Sequence, residues 1–155
     1  MPPPLSAGVL LFRQRDGLTE VLLIKPGGPF WRNKDAGAWM IPKGAVEKGE
    51  VPAEAALREF EEETGTKPGE GDLTDLGTVR QKSGKVVQAY ALEGDLDADA
   101  ITSNTFEIEW PPRSGRRARF PEVDKAAYFD AATALWKLHK GQRPILLEAV
   151  VRLKS

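Results

Sequence analysis

Apolar runs broken by glycine, proline and charge recur along the whole chain, and their spacing predicts most of its elements. Ala7 to Phe12 and Glu20 to Lys25 are two such runs, flanking Arg15-Asp16-Gly17. Asp-Gly tolerates the positive φ of a tight turn, so this segment reads as a hairpin. Lys25-Pro-Gly-Gly-Pro29 closes the second strand and opens a loop to about Ala38, after which Trp39-Met-Ile41 reads as a short strand cut off by Pro42. From Pro52 to about Thr64 strong helix formers follow one another, with Gly65 and Pro68 as the stop. Asp75 to Gln81 and Lys85 to Leu92 meet at Ser83-Gly84, a second hairpin signal, and the acidic stretch Glu93 to Ser103 reads as a surface loop. Thr105 to Trp110 alternates as a strand does until Pro111-Pro112. Arg113 to Pro121 then reads as a basic loop, Val123 to Phe129 as a strand, Ala131 to Lys140 as a helix ended by Gly141, and Pro144 to Leu153 as a last amphipathic helix. Interleaved strands and helices of this kind predict a layered, mixed α/β domain.

Composition narrows the chemistry. At 155 residues, with 41% hydrophobic and 29% charged positions, the sequence is that of one globular domain spanning 1–155. A domain of this size buries roughly 70% of its unfolded surface and needs no covalent staple. There is no cysteine, which excludes disulfides, thiolate zinc sites and cysteine nucleophiles, and fits a reducing compartment. The only histidine, His139, excludes a multi-histidine metal site. Its place before Gly141, in the last turn of the expected helix, suits a cation at a helix C-terminus. A formal net charge of −1 supplies no field for duplex nucleic acid or anionic lipid. The first twelve residues lack a signal peptide's basic start and small-residue cleavage site, and the apolar run Gly8 to Phe12 is far below the roughly 18 residues that span a bilayer. The expectation is a cytoplasmic protein without a membrane partner; no feature sets an oligomeric state.

The stretch from Gly44 to Gly65 carries the chemistry. On a helix, Glu59, Glu62 and Glu63 stand at i, i+3 and i+4 and project from one face, with Ala53, Ala56, Leu57 and Phe60 on the other. Three crowded like charges repel one another, and a hard divalent cation such as Mg²⁺ relieves that repulsion. Arg58 adds a fixed positive charge that can orient Glu59.

Gly44, Glu50, Arg58-Glu59, Glu62-Glu63 and Gly65, at these spacings, match the signature of the Nudix hydrolases, and the segment resembles a complete Nudix box. Thr66, where the family usually has an aliphatic residue, is the one departure, and it touches only packing of the loop after the helix. The resemblance implies a Nudix-type α/β/α sandwich with a mixed central sheet. It implies hydrolysis of a nucleoside diphosphate linked to another group, with Mg²⁺ or Mn²⁺ as cofactor. By resemblance Glu59, Glu62 and Glu63 are metal-binding carboxylates, the Gly44 carbonyl is a further ligand, and Glu50 supports the box through Arg58. Family members draw the base acting on water from different places, and Glu59 and Glu122 are the candidates here. Further stretches, PGGPFW, SNTFEIEWPPRSGR and FPEVDKAAYF, are similar to a bacterial Nudix subgroup described as predicted pyrophosphohydrolases.

Substrate contacts follow from charge and aromatic placement. Pro42-Lys43-Gly44 is similar to the segment of dinucleoside polyphosphate hydrolases, which makes Lys43 a candidate phosphate ligand. The six-residue offset of Glu122 and Tyr128 is a second, two-residue similarity to those enzymes. Lys25, Arg32 and Lys34 precede the box and are candidates for gripping a polyphosphate. Arg113, Arg116, Arg117 and Arg119 fall within one short loop, and guanidinium groups pair bidentately with phosphate. Among the aromatics, Trp31, Trp39, Phe106, Tyr128 and Trp110 are candidates for stacking a base, Trp110 foremost because it precedes Pro-Pro at an element edge. Trp136, with Leu135 and Leu138, reads as core. The expected partner is a small nucleotide or polyphosphate, with diadenosine polyphosphates first and ordinary or oxidised nucleoside triphosphates second. A non-catalytic nucleotide-binding module is the alternative of another class.

Overall fold

The computed structural model describes residues 4–153, so residues 1–3 and 154–155 of the expected domain lie outside the described residues. In chain order the strands are β1 (Leu5–Arg15), β2 (Leu18–Pro26), β3 (Lys43–Ala45), β4 (Thr74–Arg80), β5 (Val86–Glu93), β6 (Thr105–Glu109), β7 (Arg117–Pro121) and β8 (Val123–Asp130). The helices are α1 (Pro52–Thr64), α2 (Ala131–Lys137) and α3 (Arg143–Arg152), with single 3₁₀ turns at Ala98–Ala100 and Lys140–Gln142. Strands β4-β5-β1-β2-β8 form the central sheet, β3 joins it on β1, and β6 and β7 make a separate hairpin. The β1–β5 pair is parallel and the other pairs are antiparallel, so the sheet is mixed.

Ala7 and Val9 to Leu11 have no exposed surface at all, as expected for a strand buried on both faces. Alternation sends Val9 and Leu11 to a layer with Leu22, Ile24 and Ala55, Ala56 and Phe60 of α1. Leu10 goes to the other layer, with Leu23, Trp39, Ala134, Leu138, Ile145 and Leu146. The sheet is thus sandwiched between α1 and the α2–α3 pair. Removing the ring of the fully buried Phe60 would cost about 3–5 kcal/mol, since it leaves a cavity under the helix.

Between β1 and β2 the sheet opens. Phe12 to Arg15 pair with the start of β2, whereas Ser6 to Gly8 pair with β3; β8 runs along the other edge of β2, and on the β1 side Ile24 bridges Met40 instead. The segment before α1 fills that wedge, which is what brings Lys43 and Gly44 against the helix.

The first hairpin turns at Asp16 and Gly17, both at positive φ (54° and 78°), as the Asp-Gly signal predicts. Other expectations need correction. The short strand is Lys43–Ala45, not Trp39 to Ile41, where Trp39 and Met40 make only isolated bridges to Leu138 and Ile24. Pairing there depends on β1 lying alongside, which no local propensity reports. Arg117–Pro121 is a strand rather than loop, because its alternation lets Arg119 and Arg117 stand opposite Glu107 and Glu109. The helix expected to Lys140 stops at Lys137, since Leu138 turns extended and sinks fully into the core. His139 is therefore outside that helix, and its Nδ1 accepts the Gly141 N–H at 3.1 Å. Trp136 is 55% exposed, because Ala134 and Leu138 supply the inward face of this short segment.

Candidate active site

Pro52 in the first turn and Gly65 in the left-handed conformation (φ 75°) bound α1, so its register is set locally. The register puts Arg58 over the loop that precedes the helix. Its Nε and Nη2 donate to the two Glu50 oxygens at 2.8 and 2.9 Å, and Nη2 also donates to the Ala45 carbonyl at 3.0 Å. Nη1 donates to Glu59 Oε1 at 2.8 Å and reaches Glu62 at 3.2 Å. Glu50 further accepts the Glu47 N–H at 3.0 Å. These bonds favour the ionised form and hold the Glu50 carboxyl down at about 2, Arg58 being the larger cause.

Gly44 lies directly under Glu59. A methyl group added at Gly44 would overlap the Glu59 carboxylate, so only glycine leaves the backbone and that carboxylate in contact. Beside them a cleft of about 340 Å³ is lined by Ile24, Pro26, Met40, Ile41, Lys43, Glu63, Glu122 and Val123. Glu63 faces it, and burial together with the charges of Glu122, Glu59 and Glu62 pushes its carboxyl up to about 7 against the opposing charge of Lys43. Burial raises Glu59 as well, offset by its bond from Arg58, and burial lowers the Lys43 amine. Glu122 sits exposed at the joint of β7 and β8. Its N–H donates to the Asn104 carbonyl at 2.8 Å and its carbonyl accepts the Gly27 N–H at 3.1 Å.

The fold therefore brings Lys43, Gly44, Glu59, Glu63 and Glu122 to one cleft edge, although Glu122 is remote from the box in sequence. Among the described residues no three His, Asp or Glu side chains converge on a single point, because Arg58 draws Glu59 and Glu62 to itself while Glu63 turns to the cleft. The donor set is nevertheless oxygen only, and Glu63, raised first by burial, also stands near the carboxylates of Glu122, Glu59 and Glu62 with Lys43 as the opposing charge. That chemistry fits a hard divalent cation. A roomier groove of about 600 Å³ lies elsewhere, between Arg13, Tyr128 and the Asp95–Asp99 loop, and holds no residue of the 44–65 segment.

The candidate substrate residues divide. Lys25 is not in the cleft: it alternates with Ile24, so it faces the opposite layer, where it is 6% exposed and its charge reaches Asp35. Arg32 is exposed on the loop after β2, beside a depression shared with Gly27, Gly28, Phe120 and Asp124. Trp110 packs edge-to-face on Phe30, with centroids 5.6 Å apart. Just beyond the paired strands the Trp110 N–H bonds the Arg116 carbonyl at 2.9 Å, while within the hairpin Phe106 stands opposite Phe120 and Arg117 opposite Glu109. Tyr128 is not a base platform, since its hydroxyl bonds the Leu96 backbone and its ring lies under Arg13 at 3.5 Å. Trp39 is core and donates Nε1–H to Asp35 at 2.8 Å. Lys34 is exposed, its ammonium 5.4 Å from the Trp31 ring. Phe30, 62% exposed beside Trp110, escapes the sequence reading; its signal is an aromatic ring in a Gly-Gly-Pro loop with no periodic apolar partner.

A mixed sheet between helices, with an Arg-Glu helix packed on a glycine loop, defines a Nudix fold. The chain belongs to the NUDIX domain family, whose profile matches residues 2–149. An octanoyltransferase of Myxococcus xanthus is 32% identical over 138 residues, covering 88% of this chain and 34% of that protein. An RNA pyrophosphohydrolase of Rhodospirillum rubrum is 43% identical over 68 residues, 42% of this chain and 39% of that protein. The chain thus spans between about a third and two-fifths of the length of these curated relatives. Among solved structures, a Caenorhabditis elegans Ap4A hydrolase binary complex aligns with a TM-score of 0.68 at 19% identity, covering 96% of this chain and 97% of that one. The NUDIX domain of Shewanella oneidensis NrtR complexed with ADP ribose aligns with a TM-score of 0.67 at 20% identity, covering 99% and 90%. No helix among the described residues is long and apolar enough to cross a membrane.

Proposed function

We propose that this protein hydrolyses a phosphoanhydride bond in a nucleoside polyphosphate, with Mg²⁺ or Mn²⁺ held by Glu59, Glu62, Glu63 and the Gly44 carbonyl. The observation that carries this reading is the meeting of Glu63, Glu122 and Lys43 in one cleft beside the Gly44–Glu59 contact. A divalent cation in such a site neutralises pyrophosphate oxygens and acidifies water. Arg58, bridging Glu50 to Glu59 and Glu62, holds the helix face in register with the loop. Lys43 meets a phosphate oxygen at the cleft mouth. Glu122 is the base of this reading, because it makes no ion pair among the described residues whereas Glu59 is held by Arg58. Phe30 and Trp110 stack the base and Arg116 contacts a phosphate. Arg117, opposite Glu109, is outside the substrate path, and so is Lys25 on the other face.

Diadenosine polyphosphates remain the first substrate class, with nucleoside triphosphates second. The Rhodospirillum rubrum relative, an RNA pyrophosphohydrolase, adds RNA as a further candidate substrate. The test is product release from a panel of diadenosine tetraphosphate, ordinary and oxidised nucleoside triphosphates, triphosphorylated RNA and ADP-ribose, with Mg²⁺ or Mn²⁺, wild type beside Glu63→Gln. Cleavage of one class by wild type, reduced at least about a hundredfold in the variant, is expected. Binding of one member without any turnover would replace the enzyme by a nucleotide-recognition module.

A further inference from the structure

The segment Trp39 to Pro42, which leads into Lys43 and Gly44, leaves one of its backbone donors without a backbone acceptor. Trp39 N–H bonds the Lys137 carbonyl at 3.1 Å, and Met40 N–H bonds the Ile24 carbonyl at 2.9 Å. Pro42 has no N–H. Ile41, fully buried, finds no main-chain partner. Its N–H instead donates to Gln142 Oε1 at 2.9 Å, from a side chain itself only 1% exposed.

Gln142 is held in turn from both sides. Its own N–H bonds the His139 carbonyl at 2.9 Å, and the His139 N–H bonds the Trp39 carbonyl at 2.8 Å. Ile145 and Leu146 of α3, just beyond it, are fixed in the core. The turn before α3 therefore closes on the box lead-in at two points, the His139–Trp39 backbone bond and, nearer the cleft, the Gln142 side-chain amide at Ile41. Ile41 and Lys43 both line the cleft, and the next residue is the glycine that touches Glu59.

We infer that Gln142 is a positioning residue: through the Ile41 peptide it sets the Lys43–Gly44 segment against the substrate phosphates. The inference rests on the reading of this cleft as the substrate site. An unmet buried N–H recovers a partner only by moving its peptide, and such a movement passes directly to Lys43.

The experiment compares wild type, Gln142→Met, Gln142→Asn and Lys43→Ala, plus the Gln142→Met/Lys43→Ala double variant. Affinity for inorganic tripolyphosphate is read by calorimetry, and amide hydrogen exchange at Ile41 and Gly44 by NMR. Gln142→Met is expected to speed exchange at both amides and to weaken tripolyphosphate binding about tenfold, the loss of one hydrogen bond's worth of free energy. Gln142→Asn, whose shorter side chain withdraws the amide from the Ile41 N–H without burying a charge, should lose affinity and speed exchange in the same sense, so it serves if the methionine variant does not fold. In the Lys43→Ala background Gln142→Met should cause no further loss, as coupled residues do in a double-mutant cycle. Unchanged exchange at Gly44, or a loss of the same size with Lys43 removed, overturns the positioning role. Lys43→Ala binding tripolyphosphate as wild type does would instead overturn the phosphate role of Lys43, a failure visible in that single variant.

Discussion

The Glu59 carboxylate occupies the space in which any side chain at Gly44 would stand. A glycine of the loop and a glutamate of the helix are thus one steric unit. Gly44 lies in β3 at an ordinary negative φ, so alanine is tolerated by the backbone and penalised only by this contact. Gly44→Ala should therefore fold while displacing Glu59. Because a misplacement of about 1 Å can cost about a hundredfold in rate, kcat/KM should fall by that order with little change in Tm. Wild-type turnover in Gly44→Ala would show that Glu59 is not held where the reaction needs it.

The Glu50–Arg58 pair predicts an acid dependence of folding. With its pKa lowered from 4.5 to about 2, the Glu50 carboxylate contributes stability that is present above about pH 4.5 and is lost as pH falls toward 2. Glu50→Gln removes this contribution. Urea unfolding midpoints of the variant should lie below wild type at neutral pH and approach it between pH 4 and 2. Parallel curves across that window would mean that the pair does not stabilise the loop.

Glu63 predicts the opposite sign. Its carboxyl is raised from 4.5 to about 7, so in the metal-free protein its favourable contribution is present below about pH 4.5 and lost as pH rises through 7. A cation bound among these carboxylates offsets that loss. Calorimetric Tm should thus rise on adding Mg²⁺ more at pH 8 than at pH 5, and chelator should remove the increment. In Glu63→Gln the metal-free protein should be the more stable of the two at pH 8, with a weaker Mg²⁺ response. An equal Mg²⁺ increment at both pH values would count against a metal role for Glu63.

The β6–β7 hairpin separates two neighbouring arginines. Arg116 accepts the Trp110 N–H at its carbonyl just outside the paired strands, and Arg117 stands opposite Glu109 within them. Arg116→Ala and Trp110→Ala should each raise KM for a nucleotide substrate by about tenfold, in line with one charged hydrogen bond or one stacked base. Arg117→Ala should leave KM within about twofold, as for an exposed cross-strand charge. Equal effects of the two arginine variants would show that the hairpin acts through its net charge alone.

Elements governed by neighbours in sequence were legible beforehand. The limits of α1 follow from Pro52 and Gly65, and its acidic face from the i, i+3, i+4 spacing of Glu59, Glu62 and Glu63. The hairpin at Asp16-Gly17 follows in the same way, and the pairing of Arg58 with Glu50 agrees with what the Nudix resemblance implies. β7 was obscured because the charge of Arg113 to Arg119 outweighed the alternation Arg-Ala-Arg-Phe that it also carries. Trp136 faces outward because the inward face of a helix is settled by where that helix ends, and Leu138 leaves it early to join Trp39.

By itself, then, the sequence determined the box helix, its carboxylate face and the hairpin turns, since these depend on periodicity and backbone conformation within a few residues, while the tie of Arg58 to Glu50 came only from the family resemblance. Only the tertiary structure decided that Lys43–Ala45 pairs with β1, that Glu122 confronts Glu63, that Gln142 holds Ile41 and that Lys25 faces away from the cleft. Each of those is a contact or facing between segments far apart in the chain. It is set by strand register and by the closing of long loops around a common core, and a side-chain pattern read along the chain does not carry that information.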